Sequence, residues 1–210
     1  MKYPDNTHFK KPTQERSLKA IEDILDAAKA LSDEGVLDLP NARDLSAKSG
    51  YSTATIYRYF EKLDDVFLSL FMWRRNKAIA LVSQVIDAHD PQSDIEALIT
   101  RLVDIGMDEW ASKNPKILRL VIRQFFRHTK EPEKFNTLMD ELMPSMLAAQ
   151  KRDQSNTFRQ MTDNELRLQV RALQMAIRNP FFEQDPFAGS SEHRRWTIEM
   201  GIRLLGKSAT

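Results

Sequence analysis

The chain has 210 residues with no cysteine, and its 31 Lys and Arg stand against 30 Asp and Glu for a formal charge of +1. That length suits one large domain or two smaller ones, and the missing thiols exclude a disulfide framework, a thiolate nucleophile and a cysteine metal site. Balanced charge excludes a disordered polyelectrolyte. No run of about 18 uncharged apolar residues exists to span a membrane, and the polar start of the chain lacks an apolar signal core, so a cytoplasmic protein is expected.

Apolar residues recur at helical spacing almost throughout, and the expectation is an all-α fold. Leu18, Ile21, Leu25 and Ala28 mark a first helix, with Pro12 and Thr13 as its start and Gly35 as its end. Asn41, with Asp44 three residues on, caps a short helix to Ser49. After Gly50, Ser52 caps a second short helix to about Phe60. A long helix follows from Leu63 to about Ala88. Further helices are expected over about 92–113, 115–130, 132–152 and 162–179. A break carrying Pro180 and Pro186 then precedes a last helix over about 192–206.

Two short helices joined at a glycine, behind a longer helix, suggest a helix-turn-helix. Gly50 supplies the left-handed conformation a tight turn needs. Leu45 and Ile56 supply apolar contact, and small Ala47 is expected to let the second helix approach the first. Ser52, Thr53, Thr55, Tyr57, Arg58 and Tyr59 carry hydroxyl or basic groups able to donate to phosphate oxygens or base edges. Charge is sorted as well: residues 1–19 hold Lys2, Lys10, Lys11, Arg16 and Lys19 against Asp5 and Glu15. Residues 41–62 hold Arg43, Lys48, Arg58 and Lys62 against Asp44 and Glu61, whereas residues 20–40 set one lysine against six carboxylates. A basic face with an acidic back fits a DNA-facing surface.

The run from Ala42-Arg43-Asp44-Leu45 through Gly50-Tyr51-Ser52-Thr53-Ala54-Thr55-Ile56-Tyr57-Arg58-Tyr59-Phe60 resembles the DNA-binding signature of TetR-family regulators. Ile24-Leu25-Asp26-Ala27-Ala28 resembles the family's first helix, so the likeness covers about residues 16–70. It implies a three-helix DNA-binding domain over 1–62 and a larger helical ligand-binding and dimerisation domain over 63–210. It also implies that Ser52–Tyr59 is the recognition helix, with Thr53, Ala54 and Thr55 at base edges and Tyr57 and Tyr59 on phosphates. Arg43, Arg58 and Lys62 join the expected DNA contacts. The family usually carries Lys where this chain has Leu63, and Lys62 stands one position early.

The rest of the chain carries no motif. Met107, Trp110, Phe125, Phe126, Met139 and Met143 are large soft side chains that either fill a core or line an adaptable pocket. The resemblance implies a pocket, for a small hydrophobic or amphipathic ligand, with Asp104, Asp108, Arg123 and His128 as polar candidates. Leu166, Val170, Leu173, Ile177, Trp196 and Met200 either finish the intramolecular core or, as the resemblance implies, form a twofold dimer interface. Four histidines stand apart without ligand spacing, and no phosphate loop, dinucleotide glycine run or Gly-x-Ser-x-Gly occurs. Neither catalysis, a metal nor a cofactor is expected. The expected function is a repressor released from a palindromic double-stranded operator by a small molecule; the alternative is a helical ligand-binding or interaction protein whose helix-turn-helix no longer binds DNA.

Overall fold

A computed structural model describes residues 15–33, 41–113, 115–128 and 140–207, and among these the regular structure is helical. Helices α1 (Glu15–Asp33), α2 (Ala42–Ser49) and α3 (Thr53–Tyr59) are followed by α4 (Leu63–Asp87), α5 (Ile95–Ala111) and α6 (Pro115–His128). A 3₁₀ turn, Asp140–Leu142, leads into α7 (Met143–Arg152), and α8 (Asp163–Glu183) and α9 (Ser191–Leu205) complete the set. The expected ends at Gly35 and about 132–139 lie outside the described residues, as do Lys10 and Lys11.

The described residues within 1–76 and 113–132 pack as one unit, and those within 77–112 and 133–210 as another. The first unit buries Ile21, Ile24, Leu25 and Ala28 of α1 with Leu45, Ile56, Phe60 and Phe67, all essentially without exposure. In the second, α5, α8 and α9 pack on one another. Ile99, Val103, Met107, Met143, Met146, Leu166, Leu173 and Ile177 belong to one continuous core there. The approach is close: a Cβ added at Gly201 of α9 would stand 2.7 Å from Ile99 Cγ2, so only glycine fits without a shift.

The chain between α7 and α8 is pinned by polar contacts rather than by a sheet. Buried Gln150 brackets the Met161 backbone, its Nε2 donating to the carbonyl at 3.0 Å and its Oε1 accepting from the N–H at 3.2 Å. Arg159 N–H donates to Leu205 O at 2.9 Å and Lys207 N–H to Thr157 O at 2.8 Å. The isolated Phe158–Gly206 bridge that results accounts for these pairings without any strand.

Two boundaries differ from the sequence expectation, and the first is that the helix expected over about 132–152 is, in its described part, a 3₁₀ turn with α7 starting only at Met143. The second is that Pro180 does not end the helix near 179; α8 runs through it to Glu183. Proline has no N–H for the carbonyl four residues back, here that of Ala176. His193 takes that place, with Nε2 2.9 Å from Ala176 O, while its Nδ1 accepts from Gly189 N–H at 3.0 Å. The accepting Nδ1 fixes the hydrogen on Nε2. Phe181 and Phe187 flank the buried ring at 5.8 and 5.0 Å between centroids.

Candidate nucleic-acid interface

The site grows from two capped helices. Asn41 Oδ1 accepts from the backbone of Arg43 and Asp44 at 2.8 and 3.1 Å, and Asp44 Oδ2 in turn accepts from Asn41 N–H at 3.0 Å. This reciprocal box satisfies otherwise orphaned donors and fixes where α2 begins. Gly50 closes α2 at φ 76°, with nothing within 4 Å of a would-be Cβ. The glycine is therefore required by backbone conformation and not by space. Ser52 Oγ accepts from Thr55 N–H at 3.1 Å and lies 2.9 Å from Thr55 Oγ1, starting α3. Beyond α3, Lys62 N–H donates to buried Asp65 Oδ2 at 3.0 Å, which starts α4 and leaves the Lys62 side chain outside.

Two hydroxyls hold this pair against α1. Tyr51 Oη donates to Asp23 Oδ2 at 2.9 Å, an anchor that the sequence reading missed. That bond to a carboxylate, more than burial, raises the Tyr51 phenol above the usual tyrosine range. Tyr59 is 9% exposed, and its oxygen accepts from Arg58 Nη2 at 2.7 Å. Hydrogen bonding from Ser17 of α1 is the main cause that lowers the Tyr59 phenol; burial opposes it, and the hydrogen bond and charge of Arg58 add smaller lowering effects.

The remaining face of α3 is open. Ala54, Tyr57 and Arg58 are exposed and share one side, Thr53 sits half-buried at its edge, and Ile56 and Tyr59 point inward. Thr55 is half-buried, its hydroxyl shared with Ser52. Arg43 and Lys62 are exposed on the flanking elements. One expectation fails: Ala47 is exposed, so its small size does not serve the contact between α2 and α3, which Leu45 and Ile56 supply instead.

The other expected residues are scattered more widely. Met107 and Met143 are in the core of the second unit, and Trp110 packs against it, edge-on to Phe182 at 5.0 Å. Phe125 and Phe126 lie on α6, with their side chains outside the described set, and Met139 is outside it altogether. Asp104, a polar candidate, forms a forked pair with Arg194 at 2.5 and 2.8 Å. Leu166, Leu173 and Ile177 are buried inside their own unit, whereas Val170 and Met200 sit at the edge of that core. Trp196 is 51% exposed, and Leu168, which the sequence reading passed over, is 64% exposed. In the first unit Phe67, Leu70, Phe71, Arg74 and Ile117 help line a cavity of about 30 Å³, a space on the scale of a water and not of a drug-sized molecule.

No protein-family model matches the sequence, and no curated protein matches it. Solved structures do. One from Mesorhizobium loti, described as a TetR-family transcriptional regulator, has TM-score 0.62 at 15% identity, covering 92% of this chain and 100% of its own. A transcriptional regulator from Saccharomonospora viridis in complex with choline has TM-score 0.63 at 16% identity over 90% of this chain and 99% of its own. SmeT, the repressor of a Stenotrophomonas maltophilia multidrug efflux pump, has TM-score 0.56 at 14% identity, covering 93% and 94%. The chain has the all-α fold of the TetR-family transcription regulators.

Proposed function

We propose that this chain is a DNA-binding transcriptional regulator, a repressor that acts as a homodimer and leaves its operator when a small hydrophobic or amphipathic molecule binds. The observation that carries the reading is the α2–α3 pair. Capped helices meet at a left-handed glycine, the apolar side of α3 is spent on the first unit, and Thr53, Ala54, Tyr57 and Arg58 are left outward with Arg43 and Lys62 beside them. Hydroxyl and guanidinium groups donate to phosphates, while a threonine and a methyl group can read base edges in the major groove.

One seven-residue helix makes few base contacts, so useful affinity requires two half-sites. Exposed Leu168 of α8 and Trp196 of α9 support an isologous pairing through those helices. The two recognition helices would then enter successive major grooves about 34–36 Å apart. Helix α4 runs unbroken from Leu63 to Asp87 and contributes to both units, which supports its use as the coupling element. A ligand can act only through different affinities for two conformations, and a change from 1:99 to 99:1 takes about 5.5 kcal/mol. The repressor sense is supported by the fold likeness to SmeT, and a small-molecule effector by the likeness to the choline complex. None of the described helices is long and apolar enough to cross a membrane.

The test is selection from sheared genomic DNA of the source organism, followed by sequencing of what the purified protein retains at moderate salt. Enrichment of a near-palindrome whose halves lie one helical turn apart is the expected result. Retention of no sequence, even at low salt and after unfolding and refolding to strip a bound ligand, would overturn the reading.

A further inference from the structure

We propose that Tyr59 is a positioning residue, not a DNA contact, and that it holds Arg58 in the rotamer that clamps a phosphate. The inference rests on the DNA-binding reading above and deepens it. Tyr59 Oη sits 2.7 Å from Arg58 Nη2, and the guanidinium carbon stands 4.8 Å from the centroid of the same ring. One side chain thus supplies both a hydrogen bond and a π face to its neighbour in sequence. Tyr59 is itself 9% exposed, on the inward side of α3 with Ile56. Arg58 is exposed. A guanidinium has five N–H donors in a rigid fork, so one bond to Tyr59 leaves others to point outward.

The physical gain lies in entropy. Arginine has about 2 kcal/mol of rotamer freedom, and fixing such a side chain on binding costs enough to weaken affinity about 2- to 12-fold. A side chain already fixed in the free protein avoids that loss. The sequence order matters, because residues 58 and 59 point about 100° apart on a helix. The inward ring can therefore support the outward charge from beside it.

The experiment measures affinity of the full chain for mixed-sequence duplex DNA against salt, for wild type, Arg58→Ala, Tyr59→Phe and the double variant. Arg58→Ala is expected to flatten the slope of log affinity on log salt by about 0.9 for each subunit bound. Tyr59→Phe is expected to weaken binding about 2- to 12-fold per subunit with the slope unchanged, and to have no further effect once Arg58 is alanine. A Tyr59→Phe loss that persists undiminished in the Arg58→Ala background would mean direct DNA contact or general loosening, and would overturn the proposal. Wild-type binding with no loss in Tyr59→Phe would overturn it too, leaving the DNA-binding reading intact. Absence of salt-dependent binding by wild type would bring down both. Should Tyr59→Phe fail to fold, ¹⁵N relaxation of the Arg58 guanidinium in the free wild-type protein decides: a rigid group is expected, and a freely rotating one contradicts the proposal.

Discussion

Tyr57 and Tyr59 stand two residues apart on α3, which turns their side chains about 200° from one another. The outcome is an outward Tyr57, 49% exposed, and an inward Tyr59, 9% exposed. Sequence reading had given both the same role, because residue type alone does not say which way a short helix faces. The helical period and the Ser52 cap were legible, and so were Gly50 at φ 76° and the Asn41–Asp44 box. Contacts from elsewhere in the chain, Asp23 on Tyr51 and Ser17 on Tyr59, were not legible. Those contacts set opposite titrations. Tyr51 donates to a carboxylate and titrates above the ordinary 10.0, so its contribution to stability is present below pH 10 and lost as pH rises through its folded value. Tyr59 accepts from Ser17 and Arg58 and titrates below 10.0, so its contribution appears as pH climbs past its folded value. Phenolate absorbance should therefore lose a component below the ordinary tyrosine range in Tyr59→Phe and one above it in Tyr51→Phe. The reverse order would contradict these hydrogen bonds.

At the scale of elements, most helices followed from apolar period and caps: α5 and α9 lie within a few residues of their expected bounds. Helix α7 departs by starting only at Met143 behind a 3₁₀ turn, and α8 departs because Pro180 reads as a stop when only neighbours in sequence are considered. The group that completes the helix is His193, 17 residues beyond the carbonyl it bonds. His193→Ala strands Ala176 O and Gly189 N–H and leaves space between Phe181 and Phe187. Each stranded group costs about 1–3 kcal/mol. The expected result is a loss of about 2–4 kcal/mol in denaturant unfolding, in line with partly relaxed large-to-small changes. Adding Pro180→Ala restores a local N–H for Ala176 O and should recover part of that loss, a non-additive pair in a double-mutant cycle. Strictly additive effects would show that the histidine does not stand in for the missing amide.

Across the whole molecule, sequence was most informative where chemistry is local and least where it depends on packing. The α2–α3 site lies within 20 residues of chain, so caps, turn and outward residues could be read in line. The apolar residues of α8 and α9 could not be assigned to core or surface from their spacing, since both uses need the same period. The fold spends Leu166, Leu173 and Ile177 inside and leaves Leu168 and Trp196 outside. Met107 and Met143 likewise fit a core as well as a pocket by type, and the structure sets both in the core of the second unit. The central proposal is that basic groups at the opposite end of the chain meet DNA. Its most direct test is the salt dependence of wild-type affinity for duplex DNA. Arg43, Arg58 and Lys62 on each of two subunits predict a slope of log affinity on log salt of about −5, or roughly 10³-fold between 50 and 200 mM. A slope near zero, or no binding at the lowest salt, would contradict the placement of α3 on DNA.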